Sequence, residues 1–213
     1  SPDNPTSQIL SDKFVSAAYE AAKEIGAFVV IDFAYKEILF NDNVPKYFSW
    51  EPNDNFISIY SNSKWGRNLG RRLGWIQAPK FVIDAIESFL NSSILCPDML
   101  HQMALTKYIT KAINENTLKP YINDMNKKYA VAAKHTISAI KKHLGFPSLE
   151  PQGGLYTCIR VDTDGTNFVR DVLSKTGVLF VPGWGFGKTL DNAVRVSYGP
   201  LVNDLEKIDI GME

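Results

Sequence analysis

Apolar positions along the chain fall into two kinds of run: unbroken stretches, and stretches with an apolar residue every three or four places. The first of the second kind opens at Ser11 and carries Phe14, Ala17, Ala18, Ala21, Ala22 and Ile25 before Gly26. A hydroxyl at the start and a glycine at the end of that spacing predict a capped amphipathic helix. Residues 27–32 then form an unbroken apolar run ending in Asp32, the pattern of a parallel strand covered on both faces. Runs at 56–61 and 73–77 predict two more strands, and Pro79 opens a helix over 81–90. Asp98 can cap a helical stretch at 99–117. A second stretch, 120–144, repeats Tyr121, Met125, Tyr129, Ala132, Ala133, Ile137 and Ile140 at helical spacing until Gly145 and Pro147 stop it.

From Gly153 the pattern changes to strand (155–161), helix (166–175), strand (178–181), a glycine-rich loop (182–187) and strand (193–197). The chain therefore reads as α/β, with a mainly parallel sheet followed by a small α/β C-terminal domain. The expected boundary lies in the long helices. Residues 1–113 form part of a larger domain, and 114–213 form a compact one that includes the connecting helix.

Composition narrows the function classes. The chain has 213 residues, 45% hydrophobic and 22% charged, with 23 Lys+Arg balancing 23 Asp+Glu. That is globular and excludes disorder, and a net charge of zero leaves no electrostatic footprint for nucleic acid or an anionic membrane. Neither partner is expected. Cys96 and Cys158 make no disulfide framework and no metal-ligand spacing, so they read as thiols in a reducing compartment. No apolar run reaches membrane-spanning length, and Ser1-Pro2-Asp3-Asn4-Pro5 lacks the form of a secretory leader. A soluble, cytoplasmic protein is the expectation. His101, His135 and His143 lie in helical stretches and read as solvated or packed groups rather than catalytic ones.

The segment that carries chemistry is 61–74, where Lys64 follows a strand among small polar residues and glycines. Burial and nearby positive charge depress an amine's pKa, leaving neutral lysine to attack a carbonyl and form a Schiff base. A lysine in a solvated basic turn fits the same letters. In the same way Asp32 fits a turn-capping carboxylate, Tyr35 a half-buried strand tyrosine, and Arg195 an arginine exposed on a sheet face.

Ser61-x-Ser63-Lys64, with Arg72 and Gly74 beyond it, resembles the lysine motif of fold type I, pyridoxal-phosphate-dependent aminotransferases of the aspartate aminotransferase class. Other motifs resemble that family in order: Asp3-Asn4-Pro5-Thr6 its N-P-T-G turn, and Asp32-Phe33-Ala34-Tyr35 its D-x-A-Y strand end. Gly153–Tyr156, Gly177–Gly183 and Val194–Tyr198 resemble its closing strands. The resemblance implies a cofactor, pyridoxal 5'-phosphate, held by Lys64, which also moves the substrate Cα proton. It implies that Asp32 keeps the pyridine nitrogen protonated, that Tyr35 and Asn4 bond the phenolic oxygen, and that Ala34 lies against the ring. Ser61, Ser63 and Arg72 are implied to take the phosphate, and Arg195 and Asn4 to bind the substrate, Arg195 clamping its α-carboxylate through a two-pronged contact that lysine cannot make. Arg71 reads as solvated.

The implied activity is amino transfer between an amino acid and a 2-keto acid, in a homodimer. A carbon–sulfur lyase on the same scaffold, a ligand-sensing module and a catalytically silent fragment are the alternatives. Ser7 replaces the glycine of the N-P-T turn, and Trp184 and Phe186 make the loop before Arg195 aromatic, which suits a bulky or apolar substrate side chain. With no arginine at 91–103, a dicarboxylic substrate is not favoured. Family members are about twice this length, so the chain reads as the C-terminal part of such an enzyme.

Overall fold

A computed structural model describes residues 1–67 and 69–213, which form two compact units. The first comprises Ser1, Leu10–Glu37 and Asn43–Asn123, and the second Pro2–Ile9, Ile38–Asp42 and Asp124–Glu213. The expected split at 113/114 thus differs from the observed one in two respects. The division falls inside a helix at 123/124, and two short early segments belong with the second unit. Residue spacing reports helices but not which body an early loop joins.

In the first unit, helix α1 (Asp12–Glu24) starts where predicted, with the Ser11 hydroxyl accepting from the Phe14 N–H at 3.2 Å. Strand β1 (Val29–Asp32) runs parallel to β2 (Phe56–Ser61), which pairs antiparallel with β3 (Gly74–Gln77) in the order β1-β2-β3. Phe56 of β2 joins Phe33, Tyr47, Phe48 and Trp50 in an aromatic cluster whose rings meet edge to face or stacked at 5.1–6.3 Å. Helices α2 (Lys80–Ser93) and α3 (Met99–Asn114) follow, and α4 (Leu118–Ala139) begins in this unit.

The second unit takes the rest of α4, which widens into a π-helical turn at Ile140–Leu144 and ends at Gly145 in the left-handed conformation. Strands β4 (Tyr156–Arg160), β5 (Val181–Pro182) and β6 (Ala193–Ser197) form an antiparallel sheet in the order β4-β6-β5. Helix α5 (Gly165–Thr176) lies between β4 and β5, and α6 (Glu206–Met212) follows β6. The apolar face of α4 predicted by spacing supplies Ala132, Ala133, Ala139 and Ile140 to a core shared with Ile159, Val161, Val194, Val196 and Tyr198.

The expectation of a mainly parallel sheet is corrected: among the described residues, β1/β2 is the one parallel pair. Unbroken apolar runs mark burial on both faces rather than strand direction. No helix among the described residues is long and apolar enough to cross a membrane.

Candidate active site

Two groups of predicted residues assemble, one in each unit. Because β1 and β2 are parallel, their C-terminal ends open on one edge of the sheet, where Asp32 ends β1 and Ser61 ends β2. The chain turns through Ser63 and Lys64 and returns antiparallel, with Ser61 opposite Gly74, so Arg72 comes back to the same edge. Gly74 has a steric reason for being glycine: a Cβ there would lie 2.6 Å from the Tyr60 carbonyl oxygen. Arg72 itself adopts a left-handed backbone, φ 51°.

At this edge one carboxylate oxygen of Asp32 accepts from the Ala34 N–H at 2.8 Å, which fixes the turn leading to buried Tyr35. The Lys64 ammonium lies 5.4 Å from the centre of the Tyr35 ring. Lys64 is half-buried and joins no ion pair among the described residues. The Ser61 hydroxyl accepts from the N–H of Ser63, a buried residue, at 3.1 Å. An amine without a carboxylate partner, two hydroxyls, a guanidinium and a strand-end carboxylate on one edge fit a ligand with an aldehyde, a phosphate dianion and a basic ring nitrogen. Pyridoxal phosphate has those three groups.

The second group lies on β6. Arg195 sits opposite Cys158 of β4 and Val181 of β5, so its backbone is bonded on both sides. Its guanidinium donates to the Asn4 side-chain oxygen at 2.8 Å, and its carbon lies 4.2 Å from the Tyr156 ring centre and 5.3 Å from that of Phe186. Arg195 joins no ion pair among the described residues, and its Nε is buried without a hydrogen-bond partner. An anion would complete it. Burial pushes the neighbouring Cys158 thiol up to about 11; Asp3 adds to that shift and Arg195 opposes it.

Asn4 therefore accompanies Arg195 within the second unit. Its turn keeps the glycine-like shape although Ser7 stands in the glycine's place. Ser7 is fully buried at φ 55°, its N–H donates to the Asp3 carbonyl at 2.8 Å, and its hydroxyl accepts from the Tyr156 N–H at 3.3 Å.

Sequence reasoning missed the role of Tyr156. On antiparallel strands, residues two apart share a face, so Tyr156 is the diagonal neighbour of Arg195, which pairs with Cys158. That register was the missing signal. Of the histidines, His135 Nε2 lies 2.8 Å from an Asp209 carboxylate oxygen, and His101 meets Asn62 beside Lys64. No group of three or more His, Cys, Asp or Glu among the described residues could hold a metal ion.

Comparison with known proteins places these features in a family. The chain is 28% identical over 220 residues to an aspartate aminotransferase of Pyrococcus abyssi, with 100% of the chain and 55% of the relative covered. An LL-diaminopimelate aminotransferase of Natranaerobius thermophilus is 30% identical over 203 residues, covering 92% of the chain and 50% of the relative. The structure of an aromatic aminotransferase from Pyrococcus horikoshii superposes with a TM-score of 0.86 at 26% identity, covering 100% of this chain and 56% of that one. The chain spans about half the length of the curated relatives it matches. The family model "Aminotransferase class I and II" matches residues 1–208, and the chain belongs to that family.

Proposed function

We propose that this chain supplies the cofactor-anchoring and carboxylate-binding residues of a transaminase that moves an amino group between an amino acid and a 2-keto acid. The observation that carries the reading is the Lys64 edge: an amine with no carboxylate partner among the described residues, at the edge where Asp32 and Ser61 end their strands and Arg72 precedes β3. When bound, pyridoxal phosphate supplies an aldehyde carbon and an electron-withdrawing ring. Lys64 would anchor the cofactor and, once released, would be the base that moves the substrate Cα proton. Asp32 holds the proton on the ring nitrogen, Tyr35 orients the phenolic oxygen, and Ala34 leaves room for the flat ring. Ser61, Ser63 and Arg72 take the phosphate.

In the second unit, Arg195 binds the substrate α-carboxylate. Asn4, Tyr156 and Phe186 support that role by holding the guanidinium in one plane while leaving Nε open. The order of the motifs supports this reading, with the first unit holding cofactor and the second holding substrate. A homodimer belongs to the same reading, supported by the exposed apolar side chains of Phe89, Leu100 and Met103.

The test is borohydride reduction of the full protein with pyridoxal phosphate, followed by peptide mapping. The adduct is expected on Lys64, and Lys64→Ala is expected to lower the amino-transfer rate by roughly 10²–10⁴-fold. An adduct confined to another lysine would overturn the assignment.

A further inference from the structure

The turn that presents Lys64 is held from behind by two helices. Before the lysine, Asn62 is 0% exposed, and its amide Nδ2 lies 3.2 Å from Nε2 of His101 in the first turn of α3. After it, the Trp65 carbonyl accepts from the Tyr121 hydroxyl of α4 at 2.9 Å. The turn also closes on itself: the Gly66 N–H donates to the Asn62 carbonyl at 3.1 Å and the Arg67 N–H to the Lys64 carbonyl at 3.2 Å.

A buried amide is costly unless paired. The Oδ1 of Asn62 has no partner, so the side chain depends on its contact with His101. His101 is itself fixed, because its backbone N–H donates to the Asp98 carboxylate that caps α3, at 3.2 Å. A rigid helix end is thereby joined, through one buried amide, to the residue two places before the lysine.

We propose that His101 is a positioning residue for Lys64: acting through the Asn62 amide, it fixes the turn that aims the amine. The proposal rests on Lys64 being the cofactor anchor. A reacting group displaced by about 1 Å can lose on the order of 10² in rate, so loosening this turn is expected to cost about tenfold.

The experiment uses the full protein freed of cofactor. Pyridoxal phosphate is added, borohydride reduction stops the reaction at successive times, and peptide mass analysis gives the rate of labelling at Lys64 and at the other lysines. His101→Phe keeps a ring but cannot pair with the amide; it is expected to slow labelling at Lys64 about tenfold and leave the other lysines unchanged. His101→Gln restores a polar partner and is expected to return the rate to within about threefold of the unsubstituted protein. An unchanged rate in His101→Phe, or equal losses in both variants, would overturn the proposal. If His101→Phe does not fold, Asn62→Ala removes the same contact from the other side; loss of folding there too would make the contact purely structural and the proposal wrong. Absence of any Lys64 adduct in the unsubstituted protein would instead sink the functional reading on which the proposal stands.

Discussion

The two units use similar apolar spacing to different ends. In the second unit, Ile140, Ile159, Val194 and Tyr198 are wholly enclosed in one core built by α4, α6 and the β4-β6-β5 sheet. In the first unit, α2 carries Phe81, Val82, Ile83, Ile86, Phe89 and Leu90, yet none of its residues is buried, and Phe89 is 70% exposed. Strand β1 behaves likewise, with Val30 52% exposed. Periodicity shows which face of an element is apolar. Whether that face becomes a core depends on what packs against it.

This contrast predicts large effects in the second unit and small ones on α2. Ile159→Ala should cost about 2–5 kcal/mol in denaturant unfolding, read through hydrogen exchange of the β4 and β6 amides; a loss under about 1 kcal/mol would mean that the core is looser than its burial indicates. Next in size is thiol chemistry. With its pKa pushed from 9.0 to about 11, Cys158 should present on the order of a hundredfold less thiolate near pH 8, whereas exposed Cys96 reacts readily with a disulfide reagent. Equal rates would show that β4 opens.

Tyr198→Phe should cost about 1 kcal/mol, since the hydroxyl donates to the Gly153 and Gly154 carbonyls, each at 3.3 Å. Burial raises the Tyr198 pKa above its ordinary 10.0, so the folded state favours the neutral phenol. That stabilisation is complete below pH 10 and is lost as pH rises through the folded value; the Phe variant should show a shallower alkaline decline in stability. The smallest effect is expected for Phe89→Ser in the isolated chain, within about 0.5 kcal/mol. A loss above about 2 kcal/mol would show that Phe89 is covered in the working protein and would turn the contrast from one of packing into one of partnership.

Elements were legible in the sequence wherever local chemistry decides them. The Ser11 cap, the Asp98 cap and the Gly145 stop all act within one helical turn, and each stands where spacing put it. The strands on either side of Lys64 were legible as well, being short apolar runs close in sequence, whereas the role of the lysine came from the resemblance, since a solvated basic turn fits the same letters. What was hidden lies far apart along the chain. Asn4 meets Arg195 across 191 positions, and His101 reaches Asn62 across 39. The left-handed backbone at Ser7 was hidden for another reason: serine does not advertise that conformation, and here buried hydrogen bonds hold it.

The Ser61↔Gly74 pairing makes the segment between them a hairpin loop clasped at its base. Doubling the length of a flexible loop adds only about 0.6 kcal/mol of closure entropy. Insertions beyond Gly66 should therefore leave the anchoring turn standing. The loop can lengthen at little risk to the lysine, provided that Arg72 keeps its place and residue 74 never gains a side chain.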